Sequence, residues 1–345
     1  MNAPDLTADP DTCFWGHLDP EVPARLTVEP GTELWIEAVT HHAGDAPDLL
    51  MDEGIEAIWA GIPEPDRGPG VHIMTGPIDI AGAQPGDTLR VEIMEMRPRL
   101  PYGSNCAANW GLFHERFGKE RITIYELVDP PADGFPTTAR PTFGFDFTTL
   151  ELYDVPGVVT PPDPATRQPF GRDVTVPVRP HLGVMGVAPE RRVSSIPPGV
   201  FGGNVDNWRF GAGTAVHYPV LREGAGFYVG DPHFSQGDGE ICGTAIEASL
   251  DVKLRLSLAD DVSTTSPLLR TDTHWFTHGF GDDLDEAMAM AADLALRLLV
   301  DRGGFSFDEA YSLASVAVDF GITQVVDGTV GCHAAVADAL LEPAR

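Results

Sequence analysis

The sequence predicts a mainly β protein, a β-sandwich or barrel with a helical C-terminal unit. Glycine and proline are frequent, at 37 and 31 of 345 residues. Most of them separate short apolar runs, as tight turns between strands do. Residues 241–256 alternate apolar and polar side chains, which is the period of a half-buried strand. Helical periodicity is confined to the last quarter of the chain.

Two similar segments near the N-terminus each predict a turn followed by a strand. Residues 29–37 and 84–92 both contain Pro-Gly and continue with alternating apolar and polar residues. Pro-Gly suits a type II turn, because glycine tolerates the positive φ that this turn requires. The alternation that follows suits a strand of a β-sandwich or barrel.

The middle of the chain continues in the same style. Short strands are predicted at residues 174–178 and 214–220, and the long strand at 241–256 follows them. Stretches rich in proline and glycine near 128–142 and 155–171 predict loops or an insertion rather than core.

The C-terminal quarter predicts helices. Residues 284–299 repeat apolar side chains every three or four positions, which indicates an amphipathic helix that ends at the Gly-Gly pair 303–304. A capping-box sequence at 306–309 opens a second helix. Residues 332–341 are interpreted as a short third helix.

These elements suggest three parts of the chain. Residues 1–130 are expected to form an N-terminal β domain, and residues 131–260 a central β region that carries the candidate site loop. Residues 261–345 are expected to form a helical α+β unit packed on the core.

Composition narrows the classes of partner and the compartment. The chain has 22 basic and 52 acidic residues, a formal charge of −30, which argues against nucleic acid and anionic membrane surfaces. No apolar run approaches the roughly 20 residues that span a bilayer. No secretory leader is visible, so we expect a cytoplasmic protein. The four cysteines are scattered without Cys-x-x-Cys spacing, which argues against a disulfide framework.

One segment, residues 228–240, is rich in side chains that can bind a metal or take part in catalysis. It contains three carboxylates, an imidazole and the carboxamide of Gln236, with three glycines that let the backbone turn tightly. Asp231 and His233 are two apart, so an extended backbone points both to one side, as metal ligation requires. Carboxylate and imidazole ligands suit zinc or a similar ion. An acidic calcium loop or an ordinary turn fits the same residues.

Glu240 is the predicted general acid/base. Counted back along the strand at 241–256, it shares the apolar face of Thr244 and Ile246. A carboxylate there must be paired, hydrogen-bonded, protonated or metal-bound. Glu247 falls on the polar face with Asp251, where a solvated or ion-paired role is the simpler interpretation. It is the next candidate for catalysis.

Other polar positions are less decisive by themselves. The Gly-Gly-Asn-Val-Asp turn presents Asn204 and Asp206, although a plain Asx turn is the simpler interpretation. His72 lies beside apolar residues, where a structural histidine is the simpler interpretation. His274 and His278 fall on a predicted strand and are left outside the site. No nucleophile elbow, phosphate loop or dinucleotide motif occurs in the sequence.

Together these motifs resemble the acetamidase/formamidase family. The resemblance runs over nearly the whole chain. It rests on Gly-Val-His-Ile-Met-Thr-Gly-Pro at 70–77, Gly-Ala-Gln-Pro-Gly-Asp at 82–87, Gly-Gly-Asn-Val-Asp at 202–206, Gly-Asp-Pro-His-Phe-Ser-Gln-Gly-Asp-Gly-Glu at 230–240 and Gln-Val-Val-Asp at 324–327.

The resemblance implies a jelly-roll-like β-sandwich, hydrolysis of the C–N bond of small linear amides, and homo-oligomeric assembly. It also implies a divalent metal, zinc rather than the alternative calcium. The resemblance carries the ligand set over onto His72, Asp206, Asp231, His233 and Glu240, with the first four as the metal ligands and Glu240 as the catalytic carboxylate. Related enzymes also take lactams, so a lactam hydrolase is an alternative within the family.

The expected reaction is metal-assisted hydrolysis, because a metal acidifies water and polarises a carbonyl. Glu240 would take the proton of the water and pass it to the leaving amine. Asn204 or Gln236 would hydrogen-bond either the oxyanion or the amide NH2.

Two rivals and one structural question accompany this hypothesis. A non-catalytic module with a structural calcium is the first rival. A cupin-like oxygenase is the second, but the His-x-His motif that it would use is absent from the sequence. Phe234 departs from the commoner family pattern, in which a small residue is frequent. It either borders the pocket and limits substrate size or packs into the core.

Overall fold

Short β-strands dominate the structure, a computed structural model that describes residues 3–117, 120–129, 131, 134–147 and 167–341. The first eleven strands are Cys13–Trp15 (β1), His17–Leu18 (β2), Leu26–Val28 (β3), Thr32–Ala38 (β4), Ile73–Ile80 (β5), Thr88–Pro98 (β6), Tyr102–Ala107 (β7), Glu120–Val128 (β8), Thr138–Phe147 (β9), Gln168–Pro169 (β10) and Val176–Pro177 (β11). The next eleven are His181–Gly186 (β12), Val193–Ser194 (β13), Gly202–Asn204 (β14), Thr214–Pro219 (β15), Phe227–Ser235 (β16), Ile246–Glu247 (β17), Leu250–Ala259 (β18), Leu268–Arg270 (β19), His274–Gly281 (β20), Val318–Ile322 (β21) and Val330–Ala337 (β22).

Helices are fewer and mostly short. The α-helices of the described ranges are Pro47–Leu50 (α1), Glu53–Gly61 (α2), His114–Phe117 (α3), Leu284–Gly303 (α4) and Phe307–Ala317 (α5). Short 3-10 helices cover His41–Asp45, Glu64–Asp66 and Asp338–Leu340.

Two large sheets form a sandwich. The smaller has eight strands in the order β21-β22-β20-β19-β15-β6-β18-β4. The larger has twelve, with the main path β1-β5-β16-β17-β7-β8-β9-β10, and β12 pairs with β16 and β14. Apolar side chains of β6, β15 and β18 share one buried core with those of β12 and β16. Within the described strands neither order closes on itself. The predicted mainly β class is therefore confirmed as a sandwich rather than a closed barrel.

The two turn-and-strand predictions near the N-terminus are confirmed. The strands β4 and β6 follow Pro-Gly turns in which Gly31 and Gly86 have φ of 92° and 98°. Both strands pair with β18, one on each side.

The prediction of one strand over residues 241–256 is wrong. The chain forms β17 in the larger sheet and β18 in the smaller sheet, so it crosses the sandwich between Glu247 and Leu250. Gly243, with φ of 89°, turns the backbone before β17. Hydrophobic alternation records burial and not the identity of the sheet, and therefore it gives no sign of the crossover.

In the C-terminal unit the first two helices are confirmed and the third is wrong. Helix α4 ends at Gly304 with φ of 73°, and α5 begins with the predicted capping box of Ser306 and Glu309. Most of 332–341 belongs instead to β22, which pairs with β20 and β21 on its two edges. Strand pairing and burial of Ala334 and Val336 against the helical cluster outweigh the helix propensity of this alanine-rich segment.

The predicted loops are only partly loops. The stretch at 128–142 runs into β9, which begins at Thr138 and pairs with β8. Residues 155–166 lie outside the described part of the chain. The division at 130 and 260 stays a prediction, and the smaller sheet takes strands from all three parts. None of the helices in the described ranges is long and apolar enough to cross a membrane.

Candidate active site

Polar side chains from distant segments meet at one cavity with a volume of about 110 Å³. Its apolar wall is formed by Val71, Trp110, Ile196 and Val326. The charged and amide side chains that line it are His41, His42, His72, Asn204, Asp206, Asp231, Glu240, Glu247 and Asp327.

Strand β16 supplies the centre of this site. It pairs with β5 and β12 and carries Asp231 and His233. Asp231 has φ of 48°, and Asp206 and Glu240 have φ of 49° and 43°. Residues other than glycine seldom adopt this left-handed backbone conformation, and the residues that do so cluster at functional sites. The backbone thus turns three carboxyl groups toward one cavity.

Two imidazoles and two carboxylates converge most closely. His233 Nε2 lies 3.1 Å from Asp231 Oδ2 and 3.2 Å from Glu247 Oε2. His72 Nε2 lies 3.7 Å from the same oxygen of Asp231. All four residues are buried. His233 and Glu247 are opposite each other on the paired strands β16 and β17, which sets their separation.

The Nδ1 atoms of His72 and His42 are hydrogen-bonded to neighbouring residues. His72 Nδ1 donates to the carbonyl oxygen of Ser195 at 3.1 Å, which leaves Nε2 as a lone pair facing Asp231. His42 Nδ1 donates to Asp45 at 3.0 Å, and the Ser104 hydroxyl donates to the same carboxylate at 2.6 Å. Such outer partners orient histidines that ligate metals.

His233 is oriented by a second histidine. His181 Nδ1 lies 2.7 Å from the carbonyl oxygen of Arg179, which can only accept, so Nδ1 carries the proton. His181 Nε2 is then an acceptor, and His233 Nδ1 donates to it at 3.0 Å. Burial disfavours the charge of His233, but Glu247 and Asp231 outweigh it and raise the pKa of the ring well above its usual range, so without a metal Nε2 carries a proton toward the two carboxylates. A bound cation would take the place of that proton. Burial and the neighbouring His233 lower the pKa of His181 to about 3, so it is neutral.

The cluster fits a divalent cation. Within the described part of the chain, Asp206 Oδ1, Asp231 Oδ1, His233 Nε2 and Glu247 Oε2 are buried without a hydrogen-bond partner. Each such atom costs about 1–3 kcal/mol if it stays unpaired. Neighbouring ligand atoms of a tetrahedral zinc lie about 3.4 Å apart, given bonds of about 2.1 Å. The 3.1 and 3.2 Å separations around His233 Nε2 are close to that spacing.

The carboxyl groups differ in their electrostatic surroundings. Burial disfavours the charge of Asp231, but His233 and His72 outweigh it and hold the pKa of that carboxyl well below its usual range. Burial, together with the charge of Asp206, raises the pKa of Glu240 well above its usual range. Burial and the charge of Asp231 raise the pKa of Asp206 to about 7. The cavity therefore combines one carboxyl group whose surroundings favour the ionised form with two whose surroundings favour the protonated form.

Most of the sequence-predicted site residues come together, but their places differ. His72, Asn204, Asp206, Glu240 and Glu247 reach the cavity wall with Asp231, and His233 lies directly behind it. Asp206 Oδ1 is 4.0 Å from His233 Nδ1, the nitrogen that faces His181. Glu247 is buried at the site and not on a solvated face, because the break in the strand removes the basis of the face assignment.

Gln236 does not reach the cavity wall. Its NH2 group donates to the carbonyl oxygen of Asp206 at 2.6 Å. Its Oε1 lies 3.0 Å from His181 Nε2, but in the neutral ring described above Nε2 carries no proton, so this contact is not a hydrogen bond. It therefore supports the site from behind and is not placed to contact a substrate.

Three residues of the cavity wall, His41, His42 and Asp327, were not among the predicted site residues. His41 and His42 follow β4 on a 3-10 helix, and Asp45 hydrogen-bonds His42. The adjacent histidines directly after a predicted strand were the only local signal. Asp327 appeared only within the family motif at 324–327.

Phe234 packs into the core. Its side chain is fully buried in the cluster between the sheets, with the ring centroid 5.8 Å from that of Phe135. The idea that Phe234 narrows the pocket is therefore wrong, because adjacent residues on a strand face opposite ways. Trp110 borders the cavity instead and packs on Gly243, where any added side chain would collide with the indole.

The fold and cavity define a β-sandwich protein with a buried cluster of histidine and carboxylate side chains. The chain belongs to the acetamidase/formamidase family, whose pattern matches residues 7–195 and 190–337. The resemblance found in the sequence is thus confirmed.

Two relatives agree with this assignment, and a solved structure shares the fold. An acetamidase of Mycolicibacterium smegmatis is 30% identical over 270 residues, 69% of this chain and 64% of that protein. A formamidase of Methylophilus methylotrophus is 28% identical over 283 residues, 69% of this chain and 62% of that protein. The matches thus span less than two thirds of both relatives. The crystal structure of a Bacillus halodurans acetamidase shares the fold, with a TM-score of 0.74, 23% identity, and coverage of 96% of this chain and 97% of that chain.

Gly183 on β12 tests the convergence of the cluster. A Cβ at this position would lie 2.5 Å from Asp206 Oδ1, 2.6 Å from Asp231 Oδ2 and 2.6 Å from His233 Cε1. We expect Gly183→Ala to push these groups apart and to lower the amount of divalent metal bound per chain, measured by elemental analysis after dialysis. Gly237→Ala is the control, because its Cβ would meet no described atom within 4 Å. Equal metal content in both variants would contradict the proposed convergence.

Proposed function

We propose that this protein is an amidase that hydrolyses the C–N bond of small linear amides to a carboxylate and ammonia. The observation that carries the proposal is the set of converging Nε2 and carboxylate oxygen atoms at a small cavity in a member of the acetamidase/formamidase family. The relatives named acetamidase and formamidase support the same chemistry. The cavity of about 110 Å³ is well below the roughly 300–1,000 Å³ of pockets for drug-sized ligands, which favours a small substrate.

The donor set supports zinc as the metal. We assign His72, Asp231 and His233 as metal ligands. Glu247 is assigned as the fourth ligand, for which the family resemblance had implied Asp206. Imidazole nitrogens suit zinc and other transition metals, whereas calcium takes six to eight oxygen ligands. When bound, such a metal supplies acidified water and a polarised carbonyl.

Glu240 is the proposed proton carrier. Its buried carboxyl lies with Asp206 on the cavity wall, where burial and the charge of Asp206 raise its pKa. Carboxyl groups with raised pKa values are suited to carry protons in catalysis. It takes a proton from the attacking water, whose oxygen forms the new C–O bond. The C–N bond then breaks, and Glu240 returns the proton to the nitrogen, which leaves as ammonia. Cytoplasmic location and homo-oligomeric assembly stay predictions from the sequence.

Metal content and product analysis on one preparation test this function. We expect about one zinc per chain, given a single tetrahedral ligand set, and ammonia release from formamide and acetamide. A structural calcium module predicts stabilisation by calcium alone and no ammonia. A lactam hydrolase predicts ring opening of a γ-lactam, which forms an amino acid without ammonia. Either of these results would replace the proposal.

Replacing Glu240 by Gln tests the proton carrier. The substitution keeps the shape of the side chain but cannot carry a proton, so we expect an unchanged unfolding midpoint and a turnover reduced about 100-fold or more. Asp238→Asn is the matched control, because Asp238 pairs with Arg209 at 2.9 Å outside the cavity wall. A loss below about tenfold for Glu240→Gln would exclude Glu240 as the proton carrier.

Variants of Trp110 and Phe234 test which of the two rings borders the cavity and which packs in the core. Trp110→Ala removes a wall of the cavity, so we expect the rate on butyramide relative to formamide to rise. Phe234→Ala should lower the free energy of unfolding by about 3–5 kcal/mol and leave that rate ratio unchanged. Urea denaturation and ammonia release on both variants check this. The reverse pattern would contradict the placement of the two rings.

A further inference from the structure

A second cavity lies on the outer face of the smaller sheet and has a volume of about 570 Å³. Arg90 of β6 and His217 of β15 form part of its wall and lie directly opposite each other on paired strands. The residues on either side of each of them pack in the core between the two sheets. Since successive residues of a strand face opposite ways, Arg90 and His217 point away from that core. This cavity, called the outer pocket, shares no described wall residue with the candidate active site.

Positive charge is concentrated in the outer pocket. Three of its nine described wall residues are arginines, Arg90, Arg270 and Arg302, whereas lysine and arginine together make up only 22 of the 345 residues of the chain. Against these three guanidinium groups the wall has two carboxylates, those of Asp261 and Asp338. The wall is therefore net positive in a chain with a formal charge of −30, and it favours an anion over a cation.

Arg302 has N–H groups that are free to bind such an anion. Arg270 donates to Asp338 at 2.6 Å, and Arg90 donates to a glutamate on its own strand at 3.1 Å, so these two guanidinium groups are partly used. Arg302 lies in the last turn of α4, and its Nη1 donates to the backbone carbonyl oxygen of Asp261 at 3.2 Å. Its Nε and Nη2 have no hydrogen-bond partner among the described residues.

Trp275 holds two of the guanidinium groups in place. The Cζ atoms of Arg302 and Arg270 lie 4.8 Å and 5.1 Å from the centroid of its ring. The ring attracts a guanidinium through its π face, so these contacts do not use the N–H groups of Arg302. The donors of the outer pocket are therefore positioned before a ligand arrives, which lowers the entropy cost of binding.

His217 adds a hydrogen-bond acceptor to this pocket. Its side chain is buried, and its Nδ1 lies 3.2 Å from the carbonyl oxygen of Leu268, which can only accept, so Nδ1 carries the proton. Burial is the main cause that lowers the pKa of the ring to about 4, so the ring is neutral at pH 7. Nε2 is then an acceptor, and it has no hydrogen-bond partner among the described residues. A ligand of the outer pocket must bring an O–H or N–H group to this nitrogen.

The adjacency of Arg90 and His217 narrows the class of anion. Opposite residues on antiparallel strands have Cβ atoms about 4.5–5.5 Å apart, so one small group meets both side chains. That group needs a charged oxygen for the guanidinium and an O–H for Nε2. Hydrogen phosphate carries both at neutral pH. Sulfate has no proton, and a phosphate monoester loses its last one with a pKa of about 6.

We infer that the outer pocket binds a hydrogen oxyanion, an anion that carries its own O–H group, with Arg302 and Arg90 on its charged oxygens and His217 Nε2 accepting the O–H. Hydrogen phosphate represents this class. The bound anion joins strands β6 and β15 to the last turn of α4. The site is separate from the candidate active site and does not depend on the proposed amide hydrolysis.

Calorimetric titration of the purified protein with phosphate and with sulfate, at neutral pH and equal ionic strength, tests the inference. We expect phosphate to bind with a dissociation constant at least about tenfold lower than that of sulfate, because sulfate leaves His217 Nε2 without a donor. Attraction by charge alone predicts the opposite order, since sulfate carries the larger charge at this pH.

Three variants locate the bound anion. Arg302→Gln should raise both dissociation constants about tenfold and leave their ratio unchanged, because it removes a charged donor and no acceptor. His217→Phe removes the acceptor and should abolish the preference for phosphate. Arg297→Gln is the control and should change neither constant, because Arg297 lies on the same helix and pairs with Asp293 at 2.8 Å outside the described wall of the pocket.

Each result supports or overturns the inference. Equal or tighter binding of sulfate would overturn it, as would the absence of phosphate binding. Phosphate that still binds normally to both Arg302→Gln and His217→Phe occupies another place on the protein, which would overturn it too. Arg302 is exposed, so Arg302→Gln keeps the test decisive even if the replacement of the buried His217 prevents folding. Ammonia release from acetamide is measured separately, and its failure would end the proposed function without affecting this site.

Discussion

The imidazole of His233 is the point on which the site depends. One nitrogen bonds to His181, and the other faces the carboxylates of Asp231 and Glu247. Without this ring the two carboxylates would be buried close together with less compensating charge, which is costly in a low-dielectric interior. The chain from the Arg179 carbonyl through His181 therefore sets both the tautomer and the direction of His233.

The sandwich supplies the rigidity that such a cluster needs. Strand β16 is paired with β5 and β12, and His233 itself lies opposite His181 on β12 and Glu247 on β17. Gly183 on β12 leaves the space into which the side chains converge. The protein as a whole carries a formal charge of −30, which attracts cations and repels carboxylate products, whereas a neutral amide enters without electrostatic penalty.

Some features of the structure could be predicted from the sequence because they depend only on adjacent residues. The Pro-Gly turns before β4 and β6, the Gly end of α4 and the capping box of α5 are properties of a few adjacent residues. Asp231 and His233 belong to the same category, since their spacing of two on a strand needs no distant contact. The mainly β class follows from many such local signals, and the family resemblance extends them to His72, Asn204 and Asp206.

The tertiary structure alone decided features that depend on partners far along the chain. The crossover between β17 and β18 and the conversion of 332–341 into a strand were set by pairing with distant strands. The entry of His41, His42 and Asp327 into the site came from folding that brings separate segments to one cavity. The sequence determined which chemical groups were available and the local turns that carry them. Packing and hydrogen bonds between residues distant in sequence decided how these groups are placed. Phe234 is buried in the core, and Asn204 is hydrogen-bonded to Asp327.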